Sequence, residues 1–335
     1  MSPAEGTSGG SAGTTARPRP GRQWEALLHG LRADALDCLQ TSIALAADHA
    51  YGQDSHLALG SVLRWDFTTA RGIACIRRSL DDRLHDAEAV LGVRVRHRRS
   101  AAGGAAVRRL LADLGRLCVV ADAFDLPWVP YAGHRHLTHS FLLEPGVVGY
   151  RVVDGYHNDT EWGAARPGTW VLSAEEVDAA LARGVVALVL EAAAAPPAID
   201  EESVVAENAA RAAAAAADVE TYLGALRSQD HDPAALEQLV LDVWLLARER
   251  RLHAAWLAGS RGYRALAPDA AAVADAWSTL AARSYLAMRR SRRGLSAVDY
   301  ASVLDDLANR FRADTELAAA RLDRSGSRAH ATMQT

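Results

Sequence analysis

Of the three cysteines, Cys38, Cys75 and Cys118, only Cys38 stands where a thiol can be put to chemical use. It opens the stretch CLQTSIALAADHAYG, in which Ile43, Ala46, Ala47 and Ala50 recur at helical spacing. Asp34 or Asp37 can serve as the N-cap of this helix, and Gly52 stops it. First-turn N–H groups lack an intrahelical partner, and together with the positive end of the helix dipole they favour an anion, which for cysteine is the nucleophilic thiolate. A free cysteine is also a common small core residue, and that reading stands beside the catalytic one.

A thiol nucleophile needs a base to take its proton, and the base needs a third group to fix its tautomer and orientation. His139 and Asp154 are the candidates. The first opens HSFLLEP and the second lies in GYRVVDGYHND, two runs that read as an antiparallel hairpin around a Pro-Gly turn. In register, the two side chains meet on one face.

Other residue groups compete for attention. His134, His136 and His139 form HxHxxH, and with Asp122 or Asp154 they could be read as a metal site; an irregular loop does not by itself hold imidazoles in a defined geometry, so no metal is expected. Asp122 ends an apolar run, where it either lines a pocket or accepts loop N–H groups. Tyr131, Tyr156, His157 and Trp162 could wall an acceptor pocket, whereas Asn158 and Asp159 are explained almost as well by turn chemistry. The cluster RRSRRG (Arg289, Arg290, Arg292, Arg293) reads first as cations suiting a helix C-terminus and second as a dock for an acidic carrier protein and its phosphate.

The elements that have to position these residues divide the chain in two. Residues 1–22 are rich in Gly, Ser, Thr and Pro without an apolar core, so a disordered tail is expected there and not a signal peptide. Residues 23–192 alternate helical and strand patterns: a short helix before Cys38, a helix over 73–91, a strand at Val93 and Val95, a helix over 105–116, and an apolar strand from Leu117. The hairpin follows, then an irregular stretch over 158–169, a helix capped by Ser173 with Glu176, and the strand VVALVLE. Residues 193–200 form a Pro-containing linker, and 201–324 read as four amphipathic helices, over 203–226, 233–257, 269–290 and 296–322. A disordered tail is expected over 325–335. The fold class is therefore α+β, followed by an all-α bundle.

Composition excludes several functions. All 37 basic residues are arginine, so Schiff-base chemistry, a Walker A phosphate loop and a kinase-type lysine are ruled out. A net charge of −4 offers no general attraction for nucleic acid, and no run is long and apolar enough to span a bilayer. Three cysteines at unrelated spacings suit neither a disulfide framework nor a zinc pair, and a reducing cytoplasm is the expected setting.

The segments DCLQTSIALAADHAYG, GRLCVVADAFDLPWVPYAGHRHLTHSFLL and YRVVDGYH, in this order, resemble the N-terminal domain of the butirosin biosynthesis protein H family, itself distantly similar to bacteriocin-processing peptidases of the C39 type. The resemblance covers residues 30–190 and implies a papain-like domain followed by a helical one. It implies acyl transfer from a carrier-protein thioester, with Cys38 as nucleophile, His139 as base and Asp154 as orienting acid. The implied partners are a phosphopantetheine-bearing acyl or peptidyl carrier protein and a small amine or water acceptor, with no cofactor; a homodimer is an accessible assembly. Two positions depart from the papain-like pattern. No glutamine precedes Cys38 in HGLRADALD to hold an oxyanion, which leaves backbone N–H groups including that of Cys38, and Leu39 stands where a glycine often follows the cysteine. An intrinsically reactive thioester suits such a site better than a peptide does; a peptidase or amidase, or a catalytically idle binding scaffold, are the alternatives.

Overall fold

The computed structural model describes residues 20–76, 79–229, 232–294 and 300–332, with side chains described for all of these but 20–22 and 321–332. Helix α1 (Pro20–Gly30) leads through a 3-10 turn, Ala33–Ala35, to α2 (Cys38–Tyr51). Of the two possible caps, Asp37 is the N-cap. Its carboxylate accepts from the N–H groups of Leu39 (2.9 Å) and Gln40 (3.0 Å), and Gln40 Oε1 accepts from the Asp37 N–H (3.1 Å), completing a capping box. Gly52 closes the helix at φ 105°.

After a second 3-10 segment, Ser55–Ser61, the chain forms an antiparallel hairpin, β1 (Phe67–Ala70) and β2 (Ile73–Ile76). The helix expected from Ile73 therefore begins only at α3 (Leu80–Leu91). Arg71 and Gly72 both take positive φ, 53° and 80°, as a two-residue hairpin turn requires, and the β-branched residues of IACI suit the strand.

One six-stranded antiparallel sheet carries the rest of the first half: β3 (Val93–Ala101), β4 (Leu117–Asp122), β5 (Thr138–Pro145), β6 (Tyr150–Asp154), β9 (Gly168–Leu172) and β10 (Val185–Ala192), in the spatial order β3-β10-β4-β5-β6-β9. The late strand β10 thus inserts between β3 and β4. Alternation sorts the side chains: Cys118, Leu142, Val153 and Leu188 face α2 and α3, while Val119, Phe141, Leu143, Val152 and Ala187 face α4 (Gly104–Leu114) and α5 (Ala174–Ala180). The stretch 158–169, read as irregular, holds a small hairpin, β7 (Asn158–Thr160) and β8 (Gly163–Ala165), and leads directly into β9. Strands of three residues are too short to show a period of two.

Past residues 193–200, Asp200 caps α6 (Glu201–Ala214), which is followed by α7 (Ala216–Ser228), α8 (Pro233–Gly259), α9 (Ala267–Arg292) and α10 (Tyr300–Thr332). The first of the four expected helices is thus two, broken at Ala215; nothing in the alanine-rich sequence there accounts for the break. The expected start of the last helix at Ser296 lies outside the described residues, as do residues 1–19 and 333–335 of the expected tails. Helix α10 continues to Thr332, through residues assigned above to a disordered tail; Ala, Leu and Arg are good helix formers, and no proline interrupts them. The helical core gathers around Leu239, Val243 and Leu246 of α8, Trp277 of α9 and Leu307 and Phe311 of α10. The β1–β2 hairpin packs into that core, with Phe67 5.0 Å from Tyr222 and 5.7 Å from Phe311, ring centre to ring centre. Among the described residues, no helix is long and apolar enough to cross a membrane.

Candidate functional site

Cys38 begins α2 and is half-buried, with its Sγ 4.0 Å from the carbonyl oxygen of Thr138 at the start of β5. The next residue is His139, close enough to Cys38 for the sulfur to act on the charge of its ring. The β5–β6 register pairs Leu142 with Val153, which brings His139, Phe141 and Asp154 to one face. His139 Nε2 lies 2.7 Å from Asp154 Oδ2, and both side chains are 3% exposed. With Nε2 engaged, Nδ1 is the nitrogen left for the thiol proton.

Asp154 is itself fixed by two more donors. Trp128 Nε1–H donates to Oδ2 (3.0 Å) and the Tyr156 N–H to Oδ1 (2.9 Å). Gly155 between them lets this segment approach α2, since a Cβ there would stand 2.6 Å from Leu31 Cδ2 and 3.0 Å from Thr41 Cβ. Burial opposes a charged His139 ring, but the charge and hydrogen bond of Asp154 and the contact with Cys38 outweigh it and raise the imidazole to about 10. An imidazolium beside a sulfur is the electrostatic setting in which thiolates form.

The capping residue is also held. Arg83 of α3 engages both carboxylate oxygens of Asp37. Burial opposes the guanidinium charge, and Asp37, with a smaller contribution from Cys38, more than restores it. Because the Asp37 carboxylate takes the amides of Leu39 and Gln40, that of Cys38 is the first-turn N–H left for an incoming oxygen. Gln40 Oε1 accepts in the capping box, which holds this side chain at the N-cap.

Tyr131, Tyr156 and Trp162 gather on the His139 side. Tyr156 meets the imidazole edge-on at 5.1 Å, its hydroxyl is 3.2 Å from that of Tyr131, and Trp162 lies 5.9 Å from Tyr131 and stacks on His134. Burial and the neighbouring Tyr131 push the Tyr156 phenol well up. Asp122 stands opposite Thr138 in the β4–β5 ladder, with Oδ2 2.7 Å from His136 Nδ1 and Oδ1 accepting from the Phe124 N–H, so the loop-satisfying reading describes it. Burial raises its carboxyl, and the His136 and Phe124 hydrogen bonds outweigh that and hold it below the usual range.

His157, in the segment between β6 and β7, lines a cavity of about 500 Å³ with His29, Asp34 and Thr169. The three imidazoles of HxHxxH also go to three partners: His134 to Trp162, His136 to Asp122 and His139 to Asp154. In the arginine cluster, Arg292 reaches Glu161 (3.4 Å) and Glu237, and Arg289 lies 3.9 Å from Glu161, so these two tie the β7–β8 hairpin to the helices.

The residues that sequence reasoning missed are Trp128, Arg83, Trp244 and Arg248. Trp128 sits between Pro127 and Pro130 with no periodic signal, and Arg83 and Arg248 are two among 37 arginines. Comparison with known protein families finds no match for this chain, and comparison with curated proteins finds none either.

Proposed function

We propose that the protein is a cysteine-dependent acyltransferase or thioesterase on a papain-like scaffold, acting on a carrier-bound thioester in natural-product biosynthesis. The observation that carries this reading is Cys38 at the start of a capped helix, its Sγ 4.0 Å from the carbonyl oxygen of the residue before His139, whose imidazole is held 2.7 Å from a buried carboxylate. Cys38 Sγ attacks the thioester carbonyl carbon, the carbon–sulfur bond of the donor breaks, and the His139 imidazolium protonates the departing thiol. An amine or water then attacks the acyl-Cys38 carbonyl, gives its proton to His139, and releases the Cys38 thiolate. The Cys38 N–H faces the oxyanion in both steps. A backbone donor at the helix start, with no glutamine preceding Cys38 in HGLRADALD, favours an activated thioester over an amide.

The test is intact-mass spectrometry after mixing the protein with an acyl-loaded carrier protein or an acyl-pantetheine thioester. An acyl adduct on Cys38, absent from Cys38→Ala, is the expected result. Full turnover by Cys38→Ala would overturn the reading, and cleavage of peptides without any carrier would replace the thioester with an amide.

A further inference from the structure

Helix α8 belongs to the helical region, yet it reaches the two backbone segments that carry the reacting groups. Arg248 is 7% exposed and, among the described residues, its hydrogen bonds go to carbonyl oxygens. Its Nη1 donates to the carbonyl oxygens of Ala33 (2.8 Å) and Leu36 (2.6 Å), and its Nη2 to that of His157 (2.5 Å). Ala33 and Leu36 lie in the segment that runs into Asp37 and Cys38, whereas His157 is three residues beyond Asp154.

Trp244, one turn earlier on α8, lies under the same guanidinium, 4.0 Å from ring centre to Cζ. Its Nε1–H donates to Asn158 Oδ1 (3.2 Å), and Asn158 Nδ2 donates to the Tyr131 hydroxyl (2.9 Å), which meets that of Tyr156 beside His139.

We infer that Arg248 is a positioning residue: it fixes the Cys38 segment against the Asp154–His157 segment, so that the helical region sets the distance between nucleophile and base. This rests on Cys38 being the nucleophile. A planar fork spans carbonyls that diverge in direction, which a single ammonium cannot do. Burying a cation among carbonyl dipoles is costly, and here both segments have to be in place for the cost to be offset.

The experiment is alkylation of Cys38 by iodoacetamide across pH, followed by mass spectrometry on the full chain. Wild type, Arg248→Met, Arg248→Lys and Arg251→Met are compared with glutathione as the free-thiol reference. The charged and titratable groups around the sulfur include His139 of β5, Asp154 of β6, Cys118 of β4, Asp37 at the cap, Arg83 of α3 and Tyr156, and none of these is altered. Wild-type Cys38 should outpace glutathione at neutral pH. Both Arg248 variants should lose about 10- to 100-fold in rate, with the pH profile moving toward that of glutathione. Arg251→Met removes a neighbouring cation that touches Asp34 and Ser278 and, among the described residues, makes no hydrogen bond to the His157 segment, and should stay within about twofold of wild type.

If wild-type Cys38 is no faster than glutathione, the nucleophile reading fails and this inference falls with it. If wild type is fast and the folded Arg248 variants keep its rate and profile, the inference alone is overturned. A rate loss that only follows the unfolded fraction, with the profile unmoved, also overturns it. Should Arg248→Met not fold, Arg248→Lys retains the charge and decides.

Discussion

Asp154 binds His139 through the same oxygen, Oδ2, that accepts the Trp128 indole N–H, while its other oxygen takes the Tyr156 amide. The carboxylate is therefore locked by three donors from three directions, and the imidazole inherits its orientation from that lock. Removing the charge while keeping the shape tests what the lock does. Asp154→Asn should lower acyl transfer by on the order of 10²- to 10⁴-fold, because an amide can present the wrong group to Nε2 and no longer stabilises the imidazolium. Trp128→Phe keeps the packing against Phe141 and Trp170 but deletes one donor, and should cost about tenfold or less. Equal losses in the two variants would contradict this ordering.

The His139–Asp154 contact also makes stability depend on pH. In the fold His139 holds its proton to about 10, against an ordinary value of 6.5. The folded state then binds the proton more tightly, so the stabilisation is complete below about pH 6.5 and is lost as pH rises toward 10. Urea midpoints should fall over this interval in wild type and fall less in His139→Gln. The same decline in both proteins would assign the effect to another group.

Asp242 gives a second, separable window in the helical region. It is fully buried on α8, with Oδ2 accepting from the Tyr222 hydroxyl (2.7 Å) and Oδ1 from Gln238 Nε2 (2.7 Å). Burial outweighs these hydrogen bonds and raises the carboxyl from 3.8 to about 7. Its contribution to stability is full below 3.8 and is lost as pH rises through 7. Asp242→Asn should flatten the dependence of stability on pH between 4 and 7 and should be at least as stable as wild type at pH 8. A variant that is penalised more at pH 8 than at pH 5 would refute this.

Asp37 links the cap to Arg83. Asp37→Ala removes the acceptor of two first-turn amides and should cost about 1–2 kcal/mol in denaturant unfolding. A double-mutant cycle with Arg83→Met should show coupling of about 0.5–3 kcal/mol. Alkylation of Cys38 should slow in Asp37→Ala, because the first turn frays where the thiol is held. Unchanged alkylation alongside the stability loss would separate the cap from the site.

Much of the site was legible from local pattern. The Asp37 cap, the Gly52 stop, the Ser173–Glu176 capping box and the β5–β6 hairpin each depend on residues within a few positions of one another. Each also has one strong physical cause: a side chain short enough to cap, a glycine free to take positive φ, or an alternation of period two. The β1–β2 hairpin escaped because Ile73, Ile76 and Leu80 also fit a helical period, and the deciding feature was the positive φ of Arg71 and Gly72.

His157 shows where the local reading ends. Tyr156 and His157 are neighbours in the chain, yet one meets His139 and the other lines a cavity with His29 and Asp34, in a segment between β6 and β7 that has no regular alternation. Composition and periodicity were sufficient to mark Cys38, His139 and Asp154 and to place each at the end of its element, since capping, turn formation and alternation are short-range effects. Which groups hold them could be decided only by the folded chain. Arg83, Trp128 and Arg248 come from 45 residues beyond, 90 beyond and 210 beyond Cys38 in the numbering, and each acts through hydrogen bonds whose partners are set by how sheet and helices pack. Side-chain type carries no record of such long-range contacts, least of all in a chain where every one of the 37 Lys and Arg positions is an arginine.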